Sequence, residues 1–313
     1  MALLILAAIF VVVATSLTAA EDRLGSVEFF GAGTGADALR DHLPPKPGML
    51  LPEDDAGRAR LLQQIEQAVV QHTGKPPTDI APVCCDAQGH WIFYIGIQGP
   101  RVAMPQGRRS QAAAVRVPQA LLDIYRQTLE QNVAAVNASA TEEHTRGYAL
   151  STHKPLRDVQ LQLRQQAVPN ATLLYKVLQQ SSDTEHRAAA ATAIGYLDPS
   201  AKQIRALLDT AFDPDSTVRN NALRALWVLS VKHAAKVVQY APMRKLVALL
   251  RSGQWSDRNK ALLLLMSLAQ TQNKALGQTL RSVAMPELQE MSRWQNPGHS
   301  DPARLLLRFV AGL

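Results

Sequence analysis

One short pattern comes round three times between Ser181 and Leu268, and it restricts this chain to a narrow set of architectures. The copies read SSDTEHRAAAATAIGYL (Ser181–Leu197), DPDSTVRNNALRALWVL (Asp213–Leu229) and SGQWSDRNKALLLLMSL (Ser252–Leu268). Arg187, Arg219 and Arg258 align, as do Ala190, Ala222 and Ala261, then Leu197, Leu229 and Leu268. The aligned arginines stand 32 and then 39 residues apart (187 to 219, 219 to 258), a period that marks stacked repeats.

Each copy has the spacing of an α-helix. Val218, Ala222, Ala225, Leu226 and Leu229 fall on one face of the middle copy. Ala261, Leu264, Leu265 and Leu268 match them in the third copy, and Ala190, Ala193, Ile194 and Leu197 in the first. Small alanines early in each helix allow close approach of neighbours. Asp183-Thr184, Asp213 to Ser216 and Ser256-Asp257 supply oxygens for the open N–H groups of the first turn. Apolar segments precede each copy at 173–180, 203–212 and 243–251, so the unit is a helix pair. One pair cannot bury its apolar face, so pairs must stack.

The residues DPDSTVRNNALRALWVL resemble the HEAT repeat family in their Asp, Val-Arg, Ala and Leu positions. The first copy has His186 where Val218 stands, and the third has Gln254 for Asp215 and Asp257 for Val218. The resemblance implies an α-solenoid that binds proteins. In that family the second helix of each pair lines the concave surface. Residues off the apolar face, Asn220, Arg224 and Trp227, with Asn259, Lys260 and Met266 in the third copy, are then the expected protein-binding strip. The alternative for Trp227 is a wedge in the core. The three arginines are expected to pair with acid or carbonyl oxygens of a neighbouring repeat.

Met1–Ala20 carries no charged side chain, has an apolar core at 3–13 and ends in Thr18-Ala19-Ala20 before Glu21. It resembles a secretory signal peptide cleaved after Ala20, although no Lys or Arg precedes the apolar run. Export to the periplasm or beyond is the expectation, with no membrane span after signal removal. The apolar run is shorter than the roughly 20 residues of a span.

After that segment the chain reads strand (27–30), helix (36–43), a Pro/Gly turn ending in Pro47-Gly48, helix (56–72), strand (80–85), turn and strand (91–97). The second helix is amphipathic through Leu61, Leu62, Ile65, Val69 and Val70, and Gly89 turns the last two strands into a hairpin. This β-α-α-β-β order over 24–98, with VEFFG, ALRDHL and a Gly turn, resembles a POTRA domain. That resemblance implies binding of polypeptides, in outer-membrane assembly or secretion. The segment is expected to fold alone. GAGTGA at 31–36 also fits the dinucleotide fingerprint, but Pro44-Pro45-Lys46-Pro47-Gly48 stands where a second parallel strand is needed.

Residues 99–117 read as a linker with Arg101, Arg108, Arg109 and Arg116. A helix is expected at 118–136, with Leu121, Leu122, Tyr125, Leu129 and Val133 facing one way, then a polar loop at 137–155, then helices to the end of 118–313. The last helix pair is degenerate, as a capping unit should be. Cys84 and Cys85 read as thiols on opposite faces of a strand, with a vicinal redox pair as the other reading.

The fold class expected is mainly α, a HEAT-like solenoid preceded by a small α+β domain. No catalytic, cofactor or metal set is expected. The eight histidines are scattered, and Glu142-Glu143-His144 is the nearest approach to a metal cluster. A net charge of +7 without Lys/Arg blocks among aromatics does not favour nucleic acid. The reading is an exported, non-enzymatic scaffold for a partner protein, an envelope or secretion component. The alternatives are an enzyme-accessory, lyase-like HEAT protein and a basic scaffold for nucleic acid.

Overall fold

The computed structural model describes residues 22–32, 37–103 and 115–312. The apolar N-terminal segment, residues 33–36 of the GAGTGA stretch, and Arg108 and Arg109 lie outside them.

Three strands, β1 (Leu24–Phe30), β2 (Asp79–Val83) and β3 (Trp91–Gly96), form a sheet in the order β1-β3-β2. β3 pairs in parallel with β1 and antiparallel with β2, so the expected hairpin is present. Alternation sends side chains to two cores. Val27, Phe29, Phe93 and Ile95 meet Leu61, Ile65 and Val69 of helix α1 (Asp55–Thr73). Phe30, Ile92 and Tyr94 point the other way, into the core of the helical region. The segment 24–98 therefore gives one sheet face to the solenoid. The first expected helix is a 3-10 helix, Asp37–His42. α1 is capped by Asp54, whose carboxylate accepts from Gly57 N, and ends at Gly74 with a left-handed φ of 71°.

Cys84 and Cys85 lie beyond β2 rather than on opposite faces of it. They are joined by a disulfide, and Cys85 O accepts from Asn296 Nδ2 at 3.1 Å.

Helix α2 (Gln119–Asn137) is followed by a short hairpin, β4 (Glu142–Glu143) and β5 (Leu150–Ser151), where a loop is expected. Helix α3 (Lys154–Ala167) packs on α2. Three helix pairs follow: α4 (Ala171–Gln180) with α5 (Thr184–Ile194), α6 (Ala201–Thr210) with α7 (Ser216–Tyr240), and α8 (Met243–Ala248) with α9 (Trp255–Ala269). Dihedrals at His233 leave the helical region and break α7. Asp183 and Asp215 cap α5 and α7 as expected. Gln254 precedes α9 at the cap position but makes no side-chain cap, and Asp257 turns inward. Three helices close the chain, α10 (Lys274–Val283), α11 (Met285–Met291) and α12 (Pro297–Ala311), where a pair is expected. Pro286 and Pro297 stand in the first turns of the last two, where proline is tolerated, and α12 also carries Pro302 inside it. No helix among the described residues is long and apolar enough to cross a membrane.

The repeats are tied by the aligned arginines. Each donates to the carbonyl six residues before it: Arg187 to Ser181 O, Arg219 to Asp213 O and Arg258 to Ser252 O. Each also reaches an acid of the next unit. Arg187 holds both oxygens of Asp213 at 2.8 and 3.0 Å, and Arg219 both oxygens of Asp257 at 2.9 Å. Arg258 holds Glu290 at 2.9 Å. Glu290 also accepts from the backbone N–H of Gly31, where β1 ends. Gly31 has φ +87°, and a Cβ there would lie 2.6 Å from Ile97 O, so glycine is required. Its N–H, the first of the fingerprint stretch, thus meets a carboxylate.

Candidate functional site on the inner face of the solenoid

The second helices α5, α7 and α9 turn one face toward α2, the β4–β5 hairpin, the sheet and α12, and this inner face carries the expected strip. The hairpin runs along α7. Arg224 Nη2 donates to Glu142 Oε2, His144 meets the Trp227 ring edge-on at 5.2 Å, and Lys232 Nζ donates to Thr145 O. Arg224 and Trp227 are therefore half-buried beneath a segment of their own chain. Trp227 is neither a free surface group nor wholly core, since it packs against the repeat core on one side and His144 on the other.

The other strip residues scatter. Asn259 is buried, and Met266 is half-buried against the core. The Asn220 side chain donates to its neighbour Asn221. Asn221 is the residue that reaches inward, donating to Tyr125 OH and Ala188 O. Its counterpart one repeat on is Lys260, so Asn221 and Lys260 occupy one lateral row. Each stands two residues past a ladder arginine, more than half a turn round the helix and so on the side away from it.

A small groove opens between α2, α5 and α7, with a volume of about 70 Å³. Tyr125, Asn132, Asn221 and Arg224 give it a polar lining, and Leu129 stands at its edge. Leu129 and Val133, on the apolar face of α2, are exposed. With Val136 they form a stripe on α2 with exposures of 48, 63 and 52%. Leu121, Leu122, Tyr125 and Thr128 bury the first half of α2, and Ala135 is buried near its end.

Glu142 is part of the inner face rather than a solvated loop. Burial pushes its carboxyl up, but His144, the Arg224 charge and Gln160 outweigh that and hold it below the usual range. Further along, burial first, then the charge of Arg224, lower the Lys260 ammonium to about 8 despite the opposing pull of Glu142. Burial and then Lys260 push His299 down to about 4, so its imidazole is neutral near pH 7. His299 Nδ1 lies 2.6 Å from Tyr94 OH, whose own pKa is raised by burial and by Glu28. Among the described residues no group of three or more His, Cys, Asp or Glu side chains is arranged to hold a metal ion.

The family model for HEAT repeats matches residues 171–266, from the start of α4 to near the end of α9. No curated protein matches the chain at a significant level. The match and the stacked helix pairs mark this region as HEAT repeats, and such repeats suggest a protein-interaction scaffold.

Proposed function

We propose that this chain, with HEAT repeats over 171–266 as its frame, is an exported, non-enzymatic scaffold that holds a partner protein of the cell envelope or secretion machinery. The observation that carries the docking surface is the α2 stripe. Leu129, Val133 and Val136 stand on one face of a helix, each about half or more exposed, and Leu129 continues into the polar groove of Tyr125, Asn132 and Asn221. Neighbouring apolar side chains left in water mark interaction surfaces. An apolar segment of another protein fits this stripe, with its backbone amides meeting the groove amides. Arg224 and Trp227 then support the site through the hairpin instead of meeting the partner directly.

Export rests on the uncharged, apolar start of the chain and its small residues before Glu21. N-terminal sequencing of the native protein should begin at or near Glu21, and a retained Met1 in a cytoplasmic fraction would contradict it. For docking, Leu129→Asp with Val133→Asp should abolish capture of a specific envelope protein while leaving the melting midpoint within a few degrees of wild type. Equal capture by both forms would reject the α2 surface.

A further inference from the structure

The outer face of the repeats carries a row of cations that the inner face does not use. α6 packs on α4, α5 and α7, away from the hairpin and the sheet. Lys202, Arg205 and Asp209 lie about one turn apart on its exposed side. Lys202 Nζ stands over the Tyr175 ring of α4 at 4.4 Å, and Arg205 Cζ over the Tyr240 ring at the end of α7 at 4.4 Å. Just past α6, the Phe212 ring lies 5.8 Å from Lys245 Nζ of α8. These contacts join four helices into one row along α6. The three cations are exposed, while the three rings are half-buried against the repeat core. A ring face attracts a cation but brings no opposite charge. The charged groups of Lys202, Arg205 and Lys245 form no ion pair among the described residues, whereas Arg187, Arg219, Arg224 and Arg258 each hold an acid. Lys176 and Arg244, exposed beside Tyr175 and Lys245, add positive charge. Asp209 offsets part of it; Asp213 is held by Arg187, and Asp215 caps α7.

We propose that this outer row docks on an anionic lipid bilayer, with the phosphate groups of neighbouring lipids meeting Lys202, Arg205 and Lys245. Lys202 and Arg205 stand on α6 and Lys245 on α8, beside rings from α4 and α7. Packed helices lie about 8–10 Å apart, so the row covers an area and suits a sheet of headgroups. Single-stranded nucleic acid needs open ring faces on which bases stack. Here each ring is engaged by a cation on one side and by the core on the other. Attraction to an anionic surface grows with each Lys or Arg held near it. The row shares no residue with the α2 stripe, so either surface can fail without the other.

The test is co-sedimentation of the full chain with vesicles in chloride buffer at about 0.1 M ionic strength. Vesicles of phosphatidylcholine alone set the baseline, including whatever the apolar N-terminal segment contributes. Vesicles that also contain phosphatidylglycerol should bind wild type at least tenfold more tightly. Lys202→Gln, Arg205→Gln and Lys245→Gln together should weaken that binding at least tenfold. Arg60→Gln, Lys75→Gln and Arg308→Gln together remove the same charge from exposed positions elsewhere and should leave it within about twofold of wild type. In wild type, the anionic vesicles should slow acylation of Lys202 and Lys245 at least tenfold relative to Lys75, read by peptide mass spectrometry, which requires no variant to fold. No preference for the anionic vesicles would overturn the proposal. So would equal losses in the two triple variants or equal labelling of the three lysines, since the net charge of +7 would then account for the binding. A single-stranded oligonucleotide that binds more tightly than the anionic vesicles, and only with the row intact, would assign the row to nucleic acid and overturn it as well.

Discussion

Asp257 is fully buried and meets Arg219 through both carboxylate oxygens, while Ser252 Oγ donates to one of them at 2.7 Å. Removing one member of such a pair strands the other in a medium that solvates it poorly. Asp257→Ala should therefore cost about 3–5 kcal/mol, read from urea unfolding. The place of Asp257 was visible in the sequence only as a departure from the repeat pattern, an acid where the middle copy has Val218. Its meaning comes from Ser252, which stands where the middle copy has Asp213. With no acid at that position, Arg219 takes its partner from five residues further on. Lys260 makes the opposite prediction. Its folded pKa of about 8 lies below the unfolded value, so holding its charge costs stability below pH 8, and the cost fades as pH rises toward 10.5. Lys260→Met should gain on the order of 1 kcal/mol at pH 7, and the gain should vanish near pH 10.5.

At the scale of elements, the β4–β5 hairpin is the part least legible beforehand. Its strands are two residues each, too short for alternation to register, and Glu142-Glu143-His144 reads as a solvated loop. It is held from outside, by Arg224, Gln160 and Lys232, and those contacts join residues up to 87 apart. The sign of its pH dependence follows from Glu142, whose folded pKa is depressed. The stabilisation is present above the unfolded value near 4.5 and lost as pH falls through the folded one. Glu142→Gln should cost about 1–3 kcal/mol at pH 7 and nothing once the wild-type carboxyl is protonated. Amide exchange over 142–151, compared between the two proteins at pH 7 and in acid, checks both halves. α2 shows a different limit. Its apolar spacing announces a helix correctly, but periodicity does not say which apolar positions a neighbour covers, and Leu129, Val133 and Val136 stay exposed while Ala135 beside them is buried.

Across the whole molecule the repeats were legible because helix, cap and ladder arginine recur together, whereas the joining of sheet and solenoid was not. That junction depends on single residues far apart in sequence. Trp294 Nε1 donates to Phe29 O, Gln295 N to Glu28, Gln254 Nε2 to Thr78 O and Trp255 N to Asp79. The Tyr94 ring lies 5.1 Å from Trp255 and 4.9 Å from Trp294. Trp294→Ala should cost about 3–5 kcal/mol and lower exchange protection in β1, β3 and α9 together, since one core spans them. The same packing leaves the α2 stripe outside, as an apolar surface apart from the sheet's contacts. Site-specific photo-crosslinking from position 133 tests most directly whether that stripe is where a partner docks. With the full chain in envelope extract, a crosslinker at 133 should yield one defined protein adduct, and one at the exposed control position 274 should not. No adduct from 133, or the same adducts from both positions, would contradict the scaffold account.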